Sequence, residues 1–154
     1  MANVKIVSQI YKINSDAAPV YSFLSDFNRI GSLMEAARQA GNAQELNALT
    51  EKLEEVRFSE NECMFVVKGL GEVTIRIAEK EHPKLVKLEG GGKLPFDFNL
   101  WIQLLENGPS DTRLRITFES DMNMMLKMML KGKLEKGIEQ MAEGLAKIPY
   151  AMIG

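Results

Sequence analysis

The sequence predicts an α+β domain in which a curved antiparallel sheet of about seven strands wraps around one long C-terminal helix. Three patterns predict it: a β-branched opening segment followed by helical stripes, a long stretch of two-residue apolar periodicity, and a final amphipathic segment. An apolar sheet face and an apolar helix stripe are best buried against each other. We therefore expect a single domain over residues 1–154, with short helices between the first two strands.

Composition narrows the class of protein. The chain has 19 basic and 21 acidic residues, a net charge of −2, 45% hydrophobic residues and 26% charged residues. These values are typical of a globular domain and argue against a disordered chain or a nucleic-acid-binding polycation. No run of about eighteen uncharged apolar residues is present, so we expect no stable membrane insertion.

The chain has one cysteine, Cys63, and one histidine, His82. A lone cysteine cannot form an internal disulfide, and no Cys/His spacing fits a zinc site. The first residues lack the long apolar stretch of a secretory signal. We therefore expect a cytoplasmic protein with no metal and no cofactor, and no nucleic-acid partner.

The first elements follow from the opening residues. The β-branched run from Val4 to Ile13 predicts one strand, and Asn14, Ser15 and Asp16 offer capping oxygens for a helix with Pro19 in its first turn. The helix would bury one stripe of residues, Val20, Phe23, Leu24 and Phe27. Further short helices are predicted from Ile30 to Gly41 and from Asn42 to about Leu53.

From Glu54 the apolar period is two, which predicts an antiparallel meander with short turns. The predicted strands are Glu55–Ser59, Glu62–Lys68, Glu72–Glu79, Lys84–Glu89, Phe96–Leu105 and Thr112–Glu119. Alternation gives the sheet one apolar face and one polar face. The last element is a helix from about Met124 to Ile148, with an apolar stripe formed by Leu130, Leu134, Ile138, Met141, Leu145 and Ile148.

The order of these elements resembles the START-like (SRPBCC, helix-grip) superfamily of polyketide cyclases and dehydratases, coenzyme Q-binding proteins and lipid-transfer domains. The resemblance covers nearly the whole chain and rests on the capped helix NSDAAPVYSFLSDF, the hairpin strands and the closing helix LKGKLEKGIEQMAEGLAKI. It implies a cavity between sheet and long helix that holds a lipid, quinone, polyketide or other hydrophobic small molecule. The chain departs from the family in its extra helical stretch between Met34 and Leu53, and no catalytic signature of the enzymatic branches can be carried over.

Several motifs have a structural and a functional interpretation. Five of the ten methionines lie between Met122 and Met129 and either line a ligand entrance or fill the core at the start of the helix. Asp97 lies between two phenylalanines, but its parity places it on the polar face, which argues against an acid–base role. The run Gly90–Gly92 leads into a strand and does not have the spacing of a phosphate loop. Trp101, on the polar face, either stacks on a neighbouring arginine or marks a self-association patch.

The preferred hypothesis is a non-enzymatic protein that binds or transports a hydrophobic small molecule. The sequence is also compatible with a homodimer. The predicted ligand-binding residues are Phe65, Val67, Ile75, Val86, Leu100, Ile102, Leu114, Ile116, Met125, Met129, Ile138 and Met141. No catalytic residue is assigned. The alternatives are a cyclase- or dehydratase-type enzyme on a polyketide-like substrate, or a protein-interaction module.

Overall fold

A computed structural model of the chain describes residues 2–32, 53–67 and 71–150, with the side chains of residues 2, 53–55 and 67 outside that description. The strands are β1 (Ala2–Val7), β2 (Tyr11–Ile13), β3 (Leu53–Phe58), β4 (Glu62–Val67), β5 (Gly71–Glu81), β6 (Leu85–Gly90), β7 (Phe98–Glu106) and β8 (Thr112–Met122). The helices are α1 (Ala17–Leu24) and α2 (Met124–Ala146), and residues 27–32 are also helical. Of the predicted helices Ile30–Gly41 and Asn42 to about Leu53, residues 30–32 are helical, Leu53 begins β3, and residues 33–52 lie outside the described residues.

All eight strands form one antiparallel sheet with the order β1-β8-β7-β6-β5-β4-β3, and β2 pairs with β8 further along its length. Consecutive strands from β3 to β8 are neighbours, as short hairpin connections require. The helix α2 packs on the inner face of the sheet against β1, β2 and β8, and α1 packs against β6 and β7. This arrangement confirms the predicted α+β fold with a curved sheet and a long helix.

The opening segment is two strands and not the single strand predicted from Val4 to Ile13. The ladder with β8 is interrupted at Ser8, whose backbone N–H donates to the Ile116 carbonyl at 2.8 Å while its hydroxyl accepts from the Ile116 N–H at 2.9 Å. The next N–H, of Gln9, donates to the Glu139 carboxylate on α2 at 2.7 Å. These contacts hold the interruption in place because the N–H groups of Ser8, Gln9 and Ile116 each have a hydrogen-bond partner there.

The first helix begins as predicted, but its cap differs. Asp16 is the residue preceding α1, yet its carboxylate makes no bond to the helix and instead accepts from the Ser110 N–H at 2.7 Å. The aspartate therefore ties the start of α1 to the β7–β8 turn. The predicted burial of Val20, Phe23, Leu24 and Phe27 is confirmed, but α1 ends at Leu24 and Phe27 begins the next helical segment, so the four residues are not on one helix.

The long helix begins at a true cap, because the Asn123 side chain accepts from the Leu126 N–H at 2.8 Å. Leu130, Ile138 and Ala142 are buried against the sheet. The helix ends at Ala146 and not at Ile148, and the Tyr150 hydroxyl beyond it donates to the Leu145 carbonyl at 2.7 Å. Of the described helices, none combines the length and apolarity that crossing a membrane would need.

Most strand bounds lie within two residues of the predictions. Strand β7 begins at Phe98 rather than Phe96, and the largest difference is at β8, which continues to Met122 rather than ending at Glu119. The glycine run at Gly90 also continues a strand pairing, because the Gly91 and Lys93 N–H groups donate to β5 carbonyls at 3.0 and 3.2 Å. This geometry agrees with the sequence-based expectation that the glycine run is not a phosphate loop.

Candidate functional site

The predicted ligand-binding residues on the strands lie together on the inner face of the sheet. Six of them are 9% exposed or less: Ile75, Val86, Leu100, Ile102, Leu114 and Ile116. Phe65 is half-buried on the same face, and the side chain of Val67 lies outside the described residues. The alternation of the strands therefore brings the sheet part of the predicted site into one apolar surface, while its role in binding stays a prediction.

The helical part of the predicted site is divided between two sides of α2. Ile138 is buried and Met141 is half-buried against the core. Met125 and Met129 are 72% and 64% exposed, so the structure does not bring them together with the other ten residues. The interpretation of the methionines as core filler is wrong for Met125 and Met129, whose side chains lie outside the core, but it is confirmed for Met122, which is 1% exposed.

Several apolar side chains on the sheet and on α2 face the core but remain partly exposed. On the sheet these are Phe65, Ile77 and Phe98, and on α2 they are Leu126, Leu134, Met141 and Leu145. Phe98 stacks on Phe118 with ring centroids 5.3 Å apart. These half-open residues form the candidate site, and we call them the half-open apolar walls.

The electrostatics of the described interior are simple. The buried polar side chains in this part of the chain are Ser8, Ser15, Ser25, Thr112 and Ser120. Each buried side-chain nitrogen or oxygen in the described residues has a hydrogen-bond partner. Thr112, for example, donates to the Ser15 carbonyl at 2.7 Å. The interior that the structure describes therefore offers satisfied hydroxyl groups and no buried charge.

Three ionisable groups at the interior favour their neutral forms. The pKa of Tyr11 is raised to about 12, chiefly by its hydrogen bond to the Glu139 carboxylate on α2 and also by burial. Burial raises the pKa of the Cys63 thiol to about 12 and raises the pKa of Tyr150 as well. Cys63 is accordingly a thiol at neutral pH, which makes it a poor nucleophile.

His82 is exposed in the β5–β6 turn, and its ring makes an edge contact with Tyr21 at 4.8 Å between centroids. The prediction of an exposed turn residue is confirmed. The buried Cys63 thiol and this exposed ring show none of the mutual hydrogen bonding that an activated Cys–His pair requires in the described structure.

Sequence reasoning missed a second concave region, an open trough of about 850 Å³ on the outer face of the sheet. Cross-strand neighbours build its floor: Glu62 pairs with Arg76, Arg76 with Glu89, Glu89 with Asn99, and Asn99 with Glu119. We call this region the outer trough, and its other lining residues include Asn3, Thr74, Asp97, Asp121 and Asn123.

The outer trough is acidic, with Arg76 as its one basic lining residue, ion-paired with Glu89. Asp97 is exposed there, as its parity predicts, and its backbone carbonyl accepts from the Ser120 hydroxyl at 2.6 Å. Within residues 2–32, 53–67 and 71–150, no three Asp, Glu, His or Cys side chains are placed to hold a metal ion. The sequence shows that charged residues at alternate strand positions face outward, but only the strand register shows that these residues form one row across the sheet.

Trp101 lies on the same outer face beside Lys87, its cross-strand neighbour. The Lys87 ammonium lies 5.6 Å from the centre of the Trp101 ring. Of the two interpretations of Trp101, the contact with a cation is therefore present, with lysine in place of the expected arginine.

Comparison with known proteins supports the fold. No family model matches the chain, and no curated protein matches it either. Among solved structures, norcoclaurine synthase from Thalictrum flavum in complex with dopamine and hydroxybenzaldehyde is similar, with a TM-score of 0.66, 13% identity, and coverage of 95% of this chain and 86% of that one. A point mutant of that synthase in complex with a transition-state analogue has a TM-score of 0.68 at 11% identity, covering 96% and 95%. A conserved protein from Geobacillus kaustophilus has a TM-score of 0.61 at 15% identity, covering 98% and 96%.

Proposed function

We propose that this protein, which has the helix-grip fold of the START-like superfamily, binds a hydrophobic small molecule between the inner face of its sheet and the helix α2. The observation that carries the proposal is the pair of half-open apolar walls. Side chains such as Phe65 and Phe98 on the sheet and Leu134 and Met141 on the helix face the core without being fully buried by it. An apolar ligand between the walls would remove this remaining surface from water.

The chemistry of the walls points to the class of ligand. Burial of apolar surface contributes about 25 cal/mol per Å², so about 300 Å² of ligand surface would contribute roughly 7 kcal/mol before the costs of association. The described interior has no buried charge to pair with an ionic ligand. We therefore propose an uncharged, largely apolar molecule, of the size of a quinone, a polyketide or a single-chain lipid, and a binding or carrier role.

The similar solved structures support the scale of this ligand. One of the norcoclaurine synthase structures contains dopamine and hydroxybenzaldehyde, so a protein of this fold holds small aromatic molecules. The half-open apolar walls of the present chain contain no polar side chain that could recognise a specific ligand. The support therefore concerns ligand size and apolarity, and the half-open apolar walls themselves contain no ionisable side chain, which favours a carrier role.

The first experiment is native mass spectrometry of the purified protein, followed by solvent extraction and identification of any copurifying molecule. A discrete apolar adduct is the expected result. For protein that elutes without ligand, the affinity for the neutral apolar dye Nile red is measured by fluorescence. A protein with no adduct and no Nile red binding would overturn the proposal.

A matched pair of helix variants tests where the ligand binds. Met141→Trp adds a large apolar side chain at a half-buried position facing the sheet, whereas Gln140→Trp adds the same side chain at the neighbouring exposed position. We expect Met141→Trp to lower Nile red affinity about tenfold or more with little loss of stability, because the indole occupies the ligand's space. Gln140→Trp should bind as the wild type does. Equal affinities in both variants, or a Met141→Trp protein destabilised by overpacking, would place the dye elsewhere.

A further inference from the structure

The outward side of the first two turns of α2 carries an unusual apolar surface. Met124, Met125, Met128 and Met129 are 61%, 72%, 79% and 64% exposed. We call these four side chains the methionine patch. Their spacing places them on one side of the helix, whereas Leu126 and Leu130 between them pack toward the core. The patch is a ridge on the outward side of a helix whose inward side, at Leu130, is buried.

The methionine patch lies among positive charges. Between Met124 and Leu134 the helix contains Lys127, Lys131 and Lys133 and no acidic residue, and Lys136 follows one turn later. The ion pair that the structure shows at this helix joins Glu143 to Lys147, at the opposite end. These four lysines, which we call the rim lysines, make no ion pair in the described structure. A net-negative protein therefore has one segment that is both apolar and basic.

Part of the acidic charge lies along the outer face of the sheet. The outer trough contains Glu62, Glu89, Asp97, Glu119 and Asp121, and its lining reaches Asn123 at the start of α2. Asp121 is the acidic residue closest in sequence to the methionine patch, and it lies on the outer parity of β8. Within α2 the acidic residues Glu135, Glu139 and Glu143 come after Lys127, Lys131 and Lys133, so the start of the helix is its positive part and would be attracted to a negatively charged surface.

We propose that the methionine patch and its rim lysines dock the protein onto the surface of an anionic lipid membrane. A convex ridge cannot enclose a partner helix, but it can enter the soft boundary between headgroups and acyl chains. Methionine suits this boundary because it is unbranched and adaptable, and the lysine stems can extend past the apolar patch to reach lipid phosphates. The proposal concerns peripheral docking and does not depend on the ligand proposed above.

A second copy of the chain fits this surface less well. A symmetric dimer would place each patch against its own equivalent, which would bring the rim lysines of both copies together. Contact between like charges at an interface is unfavourable. An anionic bilayer, in contrast, attracts each lysine and accepts the methionines at the same time.

The test is flotation of the purified full-length chain with vesicles of phosphatidylcholine alone and of a four-to-one mixture of phosphatidylcholine and phosphatidylserine. We expect binding to the mixed vesicles at about 0.05 M salt, loss of most binding at about 0.5 M salt, and little binding to the neutral vesicles. No flotation with the mixed vesicles at low salt, or binding that is equal for both vesicle types, would overturn the proposal.

Two variant pairs test the charge and the methionines separately. Lys131→Gln/Lys133→Gln should weaken binding about 25-fold, at about fivefold for each lysine, whereas Lys80→Gln/Lys84→Gln removes the same charge from another exposed region and should change it little. Met124→Gln/Met128→Gln should weaken binding about tenfold or more, and the control Leu105→Gln, at a position 66% exposed, should not.

These variants also separate docking from ligand binding and from self-association. Met124 and Met128 are not among the proposed ligand-binding residues, so Nile red affinity should be unchanged when vesicle binding is lost. Equal weakening by the control variants would contradict a docking site on α2. So would a wild-type dimer that Met124→Gln/Met128→Gln converts to a monomer with unchanged vesicle binding, because the patch would then be a contact between copies.

Discussion

The inner and outer faces of the sheet are built from alternate residues of the same strands, yet they differ in chemistry and in what a substitution should do. Along β8, Leu114 and Ile116 have no exposed surface on the inner face. Arg113 and Arg115 between them lie on the outer face and bond to the surface side chains of Asp111 and Gln103. The inner face therefore supplies most of the stability, while the outer face carries the charges.

This difference has a consequence for function. The half-open apolar walls belong to the inner face, so the proposed ligand would be held by the same kind of burial that stabilises the fold. The outer trough is an open surface of charged groups, and the side chains of its Arg76–Glu89 ion pair are 62% and 39% exposed. Exposed ion pairs contribute little to stability, so substitutions in the trough should be tolerated.

The largest expected effect comes from two neighbouring residues of β8. Leu114→Ala removes a fully buried side chain and should lower the free energy of unfolding by about 3 kcal/mol, within the range for such cavities. Arg115→Ala, on the opposite face, should change it by less than about 0.5 kcal/mol. Urea denaturation of both variants measures the difference. Comparable losses in the two variants would mean that the outer face contributes to stability as the inner face does.

A smaller effect is expected at adjacent glycines that face opposite sides. A Cβ atom on Gly90 would lie 2.1 Å from the ring tip of Phe98, whereas one on Gly91 would meet the Asp97 carboxylate oxygen at 2.5 Å. The exposed Asp97 side chain can rotate away, but Phe98 would lose its stacking on Phe118. Gly90→Ala should therefore lower the free energy of unfolding by about 1–3 kcal/mol, and Gly91→Ala by less than about 1 kcal/mol.

The same pair of variants sharpens the functional comparison. Phe98 is part of the half-open apolar walls, so its displacement by Gly90→Ala should also change Nile red affinity, measured under conditions where both variants are folded. Gly91→Ala should bind the dye as the wild type does. If Gly91→Ala were the more damaging variant, the outer loop would be more rigid than its exposed side chains indicate.

The parity of the strands was predictable because a strand fixes its side-chain period at two. Ile75, Leu100 and Ile116 were therefore placed on the inner face, and Asp97 on the outer face, from the sequence alone. The stripe of α1 was predictable for the equivalent reason of helical period. These features depend on local geometry and need no knowledge of distant contacts.

Features that depend on distant contacts could not be predicted in this way. The interruption at Ser8 relies on Ile116 and Glu139, which are more than one hundred residues away in sequence. The outer trough needs the register of five strands, β4 to β8, before its charges form one row. At the start of α2, apolar residues occur on both sides of the helix, so the period alone cannot tell that Leu126 faces the core and Met128 faces outward.

The smallest expected effect concerns the hydrogen bond between Tyr11 and the Glu139 carboxylate, at the inner side of the sheet. The Tyr11 hydroxyl donates to Glu139 on α2, and this bond is the main cause of the raised pKa of Tyr11, about 12. Tyr11→Phe should lower the free energy of unfolding by about 1 kcal/mol at pH 8, since one hydrogen bond is lost. A tyrosine whose pKa is higher in the folded than in the unfolded protein stabilises the fold below the unfolded pKa of 10.0, and this contribution is lost as pH rises toward 12.

The stability difference between wild type and Tyr11→Phe, measured by urea denaturation, should therefore be constant up to about pH 9 and shrink between pH 10 and pH 12. Cys63 and Tyr150 titrate in the same direction in both proteins, so their effects cancel in the difference. Glu139→Gln removes the charge that raises the Tyr11 pKa and should weaken this pH dependence. A difference that grows with pH would mean that the phenolate is favoured in the folded protein, and that Glu139 does not hold the Tyr11 proton between the sheet and the helix.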